Sequence, residues 1–403
     1  MITLSNIEAA ARNLKGLILE TPTIYAPALS RLAGAELYLK LENLQYTSSF
    51  KVRGAANKLA SLTPEEQKRG VIAASAGNHA QGVARHASLL KIPATIVMPE
   101  GTPFTKIANT ESWGATVVLK GDSYADAYHE AMSRAKRDGL TYVHAYDDPY
   151  VIAGQGTIAL EMLAAVPELD ALIVPIGGGG LISGIAVAAK AIKPAIKIFG
   201  VQSTAYPSMK QILLGAKIDA GEISIAEGIA VQNPGEITRD IVRELVEDIF
   251  LVDEHAIENG IHVLASYGKI VAEGAGSAGI AAVLAEPKRF AGMKLGMVIC
   301  GGNIDDRLLA SILLRGLMRY GRLVRLRIGL PDRPGSLAII SRIVADHNGN
   351  VLEVTHHRLA HDIPVKNVAL DLLIETRDRK HAEGLIAALE EAGFPSETMS
   401  DPD

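Results

Sequence analysis

One pattern recurs between residues 70 and 201: a short apolar run, a turn of small residues, then an alanine-rich helix. Residues 70–74 lead into Ser75-Ala76-Gly77-Asn78-His79 and a helix through Leu90. Residues 94–98 lead into a proline- and glycine-containing turn and a helix to about Trp113. Residues 115–119 precede a helix from about Ser123 to Asp138, and Tyr142-Val143-His144 follows. Residues 171–176 form a strand that enters Gly177-Gly178-Gly179-Gly180, with a helix over 181–192 and a further strand over 197–201. Strands alternating with helices at this spacing predict open parallel sheets with helices on both faces. The strand 295–299, running into Cys300-Gly301-Gly302-Asn303, continues the theme, whereas residues 207–250 carry no readable pattern.

The two ends of the chain differ from this middle. Residues 5–17 read as a helix and 36–41 as a half-buried strand. Near Tyr320 the texture changes to β-α-β-β-α: strand 323–328, helix 336–346, strands 350–356 and 367–374, and helix 380–392, with room for a last short strand. That is the ferredoxin-like order. The 403 residues therefore divide into a domain over 1–320, with a smaller subdomain at about 45–145 inserted, and a second domain over 321–403.

Composition narrows the function. A formal net charge of −5 without any basic run argues against nucleic acid. A single cysteine excludes an intrachain disulfide and a multi-cysteine metal site, and fits a reducing cytosol. Residues 171–189 are uncharged and long enough to test as a membrane span. They contain Pro175 and four consecutive glycines, so strand, turn and helix describe them better. The amino terminus lacks a basic region followed by an apolar core. The expectation is a soluble, cytoplasmic protein.

In open α/β sheets ligands bind outside the carboxyl ends of the strands, where three of these turns converge. Gly177 to Gly180 bares backbone N–H groups at a helix start; it is either a phosphate cup or a tight turn. It lacks the Gly-Lys-Ser/Thr of a nucleotide loop, and Gln202 and Ser203 stand where a dinucleotide site has an acidic residue. Ser75 to His79 suits a substrate carboxylate or a helix cap, with His79 giving only a backbone contact. Cys300 is a core residue or a neutral group facing the crevice.

In Thr47-Ser48-Ser49-Phe50-Lys51-Val52-Arg53-Gly54, Thr47 or Ser48 is expected to cap a helix whose first turn holds Lys51. A helix start and the apolar Phe50 both disfavour the ammonium form, so Lys51 is either a solvated surface charge or a nucleophile. His356-His357 sit on opposite faces of a strand and make a poor metal site. A lysine, a phosphate cup and a carboxylate turn, without metal ligands, suggest pyridoxal phosphate.

These motifs closely resemble those of the threonine (serine) dehydratases of the type II pyridoxal-phosphate fold, over roughly residues 5–315. The resemblance rests on Ser49 to Ala55, Ser75 to Gly82 and Gly177 to Leu181. It implies that Lys51 is the Schiff-base lysine and that Asn78 bonds the ring hydroxyl. Gly177, Gly178, Gly179, Gly180 and Leu181 would cradle the phosphate, with Phe50 packing near the ring and Cys300 facing its nitrogen. Ser75, Ala76, Gly77, Asn78 and His79 would hold the substrate carboxylate. Residues 321–403 resemble an ACT domain, with Asp332-Arg333-Pro334-Gly335-Ser336-Leu337 as its first loop, implying an amino-acid effector and a homodimer or homotetramer.

Cysteine at 300, as in mammalian-type serine dehydratases, does not hold the ring nitrogen protonated, which favours prompt β-elimination. Related serine racemases carry serine where Ala76 stands, and an acidic cation ligand where Gln202 stands. The implied activity is deamination of L-threonine to 2-oxobutanoate and ammonia, with L-serine as a secondary substrate and no metal assigned. The alternatives are a hydroxyaspartate ammonia-lyase of the same fold and a non-catalytic amino-acid sensor.

Overall fold

The computed structural model describes residues 2–221, 223–357 and 367–399. The chain separates into two compact units, Met1–Ile304 and Asp305–Asp403.

The first unit opens with β1 (Thr23–Tyr25) and β2 (Glu36–Lys40). It then departs to build β3 (Val71–Ala74), β4 (Ala94–Met98), β5 (Thr116–Leu119) and β6 (Thr141–Tyr142). It returns for β7 (Ala171–Pro175), β8 (Lys197–Ser203), β9 (Asp248–Val252) and β10 (Lys294–Val298). The returning strands join the opening pair in a six-stranded sheet of order β1-β2-β10-β7-β8-β9, parallel except for β1. The inserted strands form a parallel sheet of order β5-β4-β3-β6.

Both sheets obey one physical logic. β3 and β7 are buried at every position, as parallel strands covered on both faces must be. The strand order also fixes the chemistry. Because β10 lies between β2 and β7, the segment leading to Lys51, the Cys300 turn and the glycine run leave neighbouring strands at one edge. In the smaller sheet β3, which runs into Ser75, neighbours β6, which runs into residues 143–148.

Several helices differ from the expectation. The Lys51–Ala60 helix has Phe50, not Thr47 or Ser48, at its N-cap, without a side-chain cap. The preceding segment instead pairs through its backbone: Phe50 N–H donates to Cys300 O at 3.1 Å, and Ser49 bridges Gly301. The helix Pro149–Ala165 starts where Asp148 accepts from the Tyr150 and Val151 N–H groups. Residues 207–250 contain the helices Ser208–Leu213 and Glu236–Leu245 and part of β9.

The second unit adds the helix Asp306–Arg319 to an antiparallel sheet of β11 (Leu323–Pro331), β12 (Asn350–His357), β13 (Asn367–Glu375) and β14 (Ser396–Thr398). The order is β12-β13-β11-β14, with helices Ser336–Asp346 and Arg379–Glu391 supplying Ile340, Val344, Leu385 and Leu389 to its core. The short strand expected at the end is β14. Among the described residues, no helix is long and apolar enough to cross a membrane.

Candidate active site

Lys51 is half-buried as a residue, yet its amine lies among groups that strip it of water, and its pKa falls to about 8. Burial is the cause; the nearby Cys300 and Glu273 oppose it. Nζ donates to the Ala145 carbonyl at 2.8 Å and stands 5.2 Å from the centre of the Phe50 ring. Ala145 belongs to the segment after β6, and its neighbour Tyr146 packs directly on the glycine run. A Cβ added to Gly178 would lie 2.2 Å from the Tyr146 ring, and one added to Gly180 2.9 Å from the Tyr146 backbone. The lysine amine and the glycine run are therefore held by consecutive residues of one segment.

Gly179 takes φ +97°, a left-handed conformation that favours glycine, and is the N-cap of the Gly180–Ile192 helix. No side chain caps that helix, so no side-chain acceptor occupies its first-turn N–H groups. Thr238 fixes the run from behind, its hydroxyl donating to Gly178 O at 2.6 Å. Asp147 in turn accepts the N–H groups of Glu236, Ile237 and Thr238, so the same segment also caps the next helix.

The Ser75 loop closes on itself, with Gly77 N–H donating to Ser75 Oγ at 3.2 Å. Asn78 starts the helix Asn78–Leu89, and its side chain reaches Asn303 beyond the Cys300 turn. His79 is buried and donates through Nε2 to Val143 O at 2.9 Å. Burial foremost, then Lys51, pushes its pKa down to about 3, so it is a neutral anchor for the end of β6. Cys300 is buried, and burial raises its thiol well above the usual range, so it stays protonated.

The sequence-predicted groups thus converge: Lys51, Phe50, Asn78, the Ser75 loop and Cys300 share one neighbourhood with the glycine run. Contributors not read from sequence are the Ala145–Tyr146–Asp147 segment and Glu273, whereas Asn303 was read only as the end of the Cys300 turn, without its bond to Asn78. The first follows β6 at the same strand edge as the others, and that position is its only sequence signal. Gln202 pins a turn, accepting from Lys210 N–H and donating to Tyr206 O. Among the described residues, no group of three or more His, Cys, Asp or Glu could hold a metal ion.

Pyridoxal phosphate can be tested against these residues. A depressed amine, an uncapped helix start behind four glycines, and a neutral thiol suit its aldehyde, phosphate and ring. The buried Thr47 and Ser49 hydroxyl oxygens, in the segment leading to Lys51, have no protein partner among the described residues. The site fits the group.

Comparison with known proteins agrees. The family model described as pyridoxal-phosphate dependent enzyme matches residues 14–301. The L-threonine ammonia-lyase of Thermotoga maritima is 45% identical over 396 residues, 98% of either chain. The processed form of threonine deaminase isoform 2 from Solanum lycopersicum superposes with a TM-score of 0.72 at 36% identity, covering 77% of this chain and 86% of that one. Maize serine racemase superposes with a TM-score of 0.73 at 32% identity, covering 79% and 98%. With lysine, glycine cup and thiol gathered at one sheet edge and a family match spanning that whole region, the chain belongs to the pyridoxal-phosphate dependent enzymes of the type II fold.

Proposed function

We propose that this protein is a threonine ammonia-lyase, converting L-threonine to 2-oxobutanoate and ammonia and L-serine to pyruvate as a secondary activity. The observation that carries the reading is the Lys51 amine, depressed to about 8 and held one residue from the contact that shapes the glycine run. Bound at Lys51, pyridoxal phosphate supplies an aldehyde for the substrate amine and a ring that delocalises the electrons left at Cα.

The protein's own groups do the rest. Lys51 Nζ is the base that removes the Cα proton, and its low pKa keeps a usable fraction neutral near pH 7. Ala145 O accepts from that nitrogen and aims it. Phe50, beside it, strips water from the amine. Gly177 to Leu181 would hold the phosphate with backbone N–H groups, and Asn78 would bond the ring oxygen. Cys300, a protonated thiol, withholds a negative charge from the ring nitrogen. The Ser75–His79 loop receives the substrate carboxylate. Ala76 has no side-chain proton to deliver to the opposite face of Cα, which disfavours racemisation.

The second unit serves as a regulatory ACT-type domain over about 321–403. A cavity of about 480 Å³ next to the Asp332 loop, lined by Asp332, Arg333, Ser336, His356 and Leu370, supports an amino-acid effector there. His356 lines that cavity while His357 turns to Asp371 at 3.0 Å, as opposite strand faces require. A homodimer or homotetramer in the cytoplasm completes the reading.

The test is an absorbance spectrum of the purified protein, followed by keto-acid assays on threonine, serine and hydroxyaspartate, with and without isoleucine. A visible band and highest turnover on threonine are expected. A colourless, inactive protein would leave only an amino-acid sensor, and faster turnover of hydroxyaspartate would move the assignment to that lyase.

The amine also sets a pH dependence. Its folded pKa is depressed, so the reactive neutral form grows as pH rises through about 8. Uptake of pyridoxal phosphate by the cofactor-stripped protein should accelerate with that midpoint. A midpoint near 10.5, the ordinary lysine value, would contradict the environment described for Lys51.

A further inference from the structure

Glu273 is the N-cap of the Gly274–Ala285 helix and has no part in the chemistry above. The residue keeps some exposure, but its carboxyl sits deep enough that burial pushes its pKa up to about 7, against the pull of a bond from Asn78. The geometry around it is specific. Oε1 accepts from Asn78 Nδ2 at 2.8 Å, across 195 residues of sequence. On the far side of the same amide, Asn303 Nδ2 donates to Asn78 Oδ1 at 2.5 Å and to Thr47 O at 2.9 Å. The Glu273 N–H donates to Gly301 O at 3.1 Å. A Cβ at Gly301 would lie 2.4 Å from Glu273 Oε1 and 3.2 Å from Asn78 Nδ2, so glycine there leaves the carboxyl its place. The nearby Lys106 is engaged by Glu227 at 2.5 Å and is not the partner of Glu273.

A side-chain amide has one oxygen and two N–H donors. With the oxygen committed to Asn303 and one N–H to Glu273, only one flip state of Asn78 satisfies both neighbours. One N–H of Asn78 then remains for a ligand. In its ionised form, which prevails above about pH 7, the carboxylate can only accept, so it cannot stabilise the inverted amide, as a glutamine in its place could.

We propose that Glu273 is a positioning residue that locks the Asn78 amide in one flip state and so presents its remaining N–H to the cofactor's ring oxygen. This rests on the assignment of Asn78 to that ring given above.

The test is a double-mutant cycle on the full chain with Glu273→Gln, Asn78→Ala and both together. The readouts are the Kd of pyridoxal phosphate for stripped protein and the position of the visible band. Each single variant should raise Kd about tenfold, the scale of one hydrogen bond to a charged group, and shift the band in the same direction. The double variant should stay within about threefold of Asn78→Ala, because Glu273 acts through Asn78. Independent losses, multiplying to about a hundredfold in the double variant, would overturn the proposal. So would a Glu273→Gln protein with unchanged Kd and band beside an affected Asn78→Ala, which would leave the Asn78 assignment standing. If Asn78→Ala itself changes neither, that assignment fails and the proposal with it. Should Glu273→Gln not fold, Glu273→Asp keeps the acceptor at shorter reach and carries the same comparison, with non-additivity expected and additivity overturning.

Discussion

Lys51→Ala is expected to yield a folded protein without the visible absorbance band and with threonine turnover reduced by more than about 10³-fold. Alanine suits the Lys51–Ala60 helix better than lysine does, and no side-chain cap is lost. Among the described residues, the hydrogen bond removed is the one to Ala145 O. What disappears is the amine that both tethers the cofactor and takes the Cα proton. No neighbour can replace it: His79 is neutral and tied to Val143, and Cys300 is a buried thiol. Lys51→Arg should fare no better, because a guanidinium stays charged at any working pH. Keto-acid assay and absorbance scan on the same samples check this, and turnover within about tenfold of the parent would refute the role.

Arg53→Met should cost about 3–5 kcal/mol of stability, read as a fall in the urea or thermal midpoint. Arg53 is fully buried and meets Glu42 through two bonds of 2.8 Å. It also bonds Glu161 at 2.5 and 2.8 Å and Thr157 at 3.0 Å. Lys40, also buried, shares Glu161. Burial would raise the Glu42 pKa, but the charge and bonds of Arg53 more than offset it and hold the carboxyl below its ordinary value. Methionine fills similar volume yet leaves that carboxylate buried without its main partner. Adding Glu42→Gln should recover part of the loss, since it removes the stranded charge. A change below about 1 kcal/mol would mean that the pair is not a determinant of stability. The network also bears on chemistry. It ties the Lys51 helix, two residues beyond the amine, to the turn after β2 and to the helix Pro149–Ala165.

Much of the site was legible because its chemistry is written in local turns. Gly177 to Gly180, Ser75 to His79 and Cys300 each follow an apolar strand directly, so sequence neighbours are also spatial neighbours. The ferredoxin-like order of the second unit was readable for the same reason, through alternating strands and clear turns. What escaped notice acts at long range. Ala145 contributes a backbone carbonyl, which no side-chain pattern reports. Glu273 and Asn303 reach Asn78 over separations of 195 and 225 residues. The Glu236–Leu245 helix was unreadable for a related reason: its N-cap is Gly235, without a side-chain cap, and its first N–H groups are satisfied by Asp147 from another segment. The Lys51 helix misled in the opposite sense. Thr47 and Ser48 look like caps, but the backbone of Cys300 and Gly301 claims that stretch.

The most direct test of the account is to reduce the holoenzyme with borohydride, digest it, and map the modified peptide by mass spectrometry. A single pyridoxyl adduct on Lys51 is predicted. An adduct on another lysine, or none in a protein that still deaminates threonine, would contradict it.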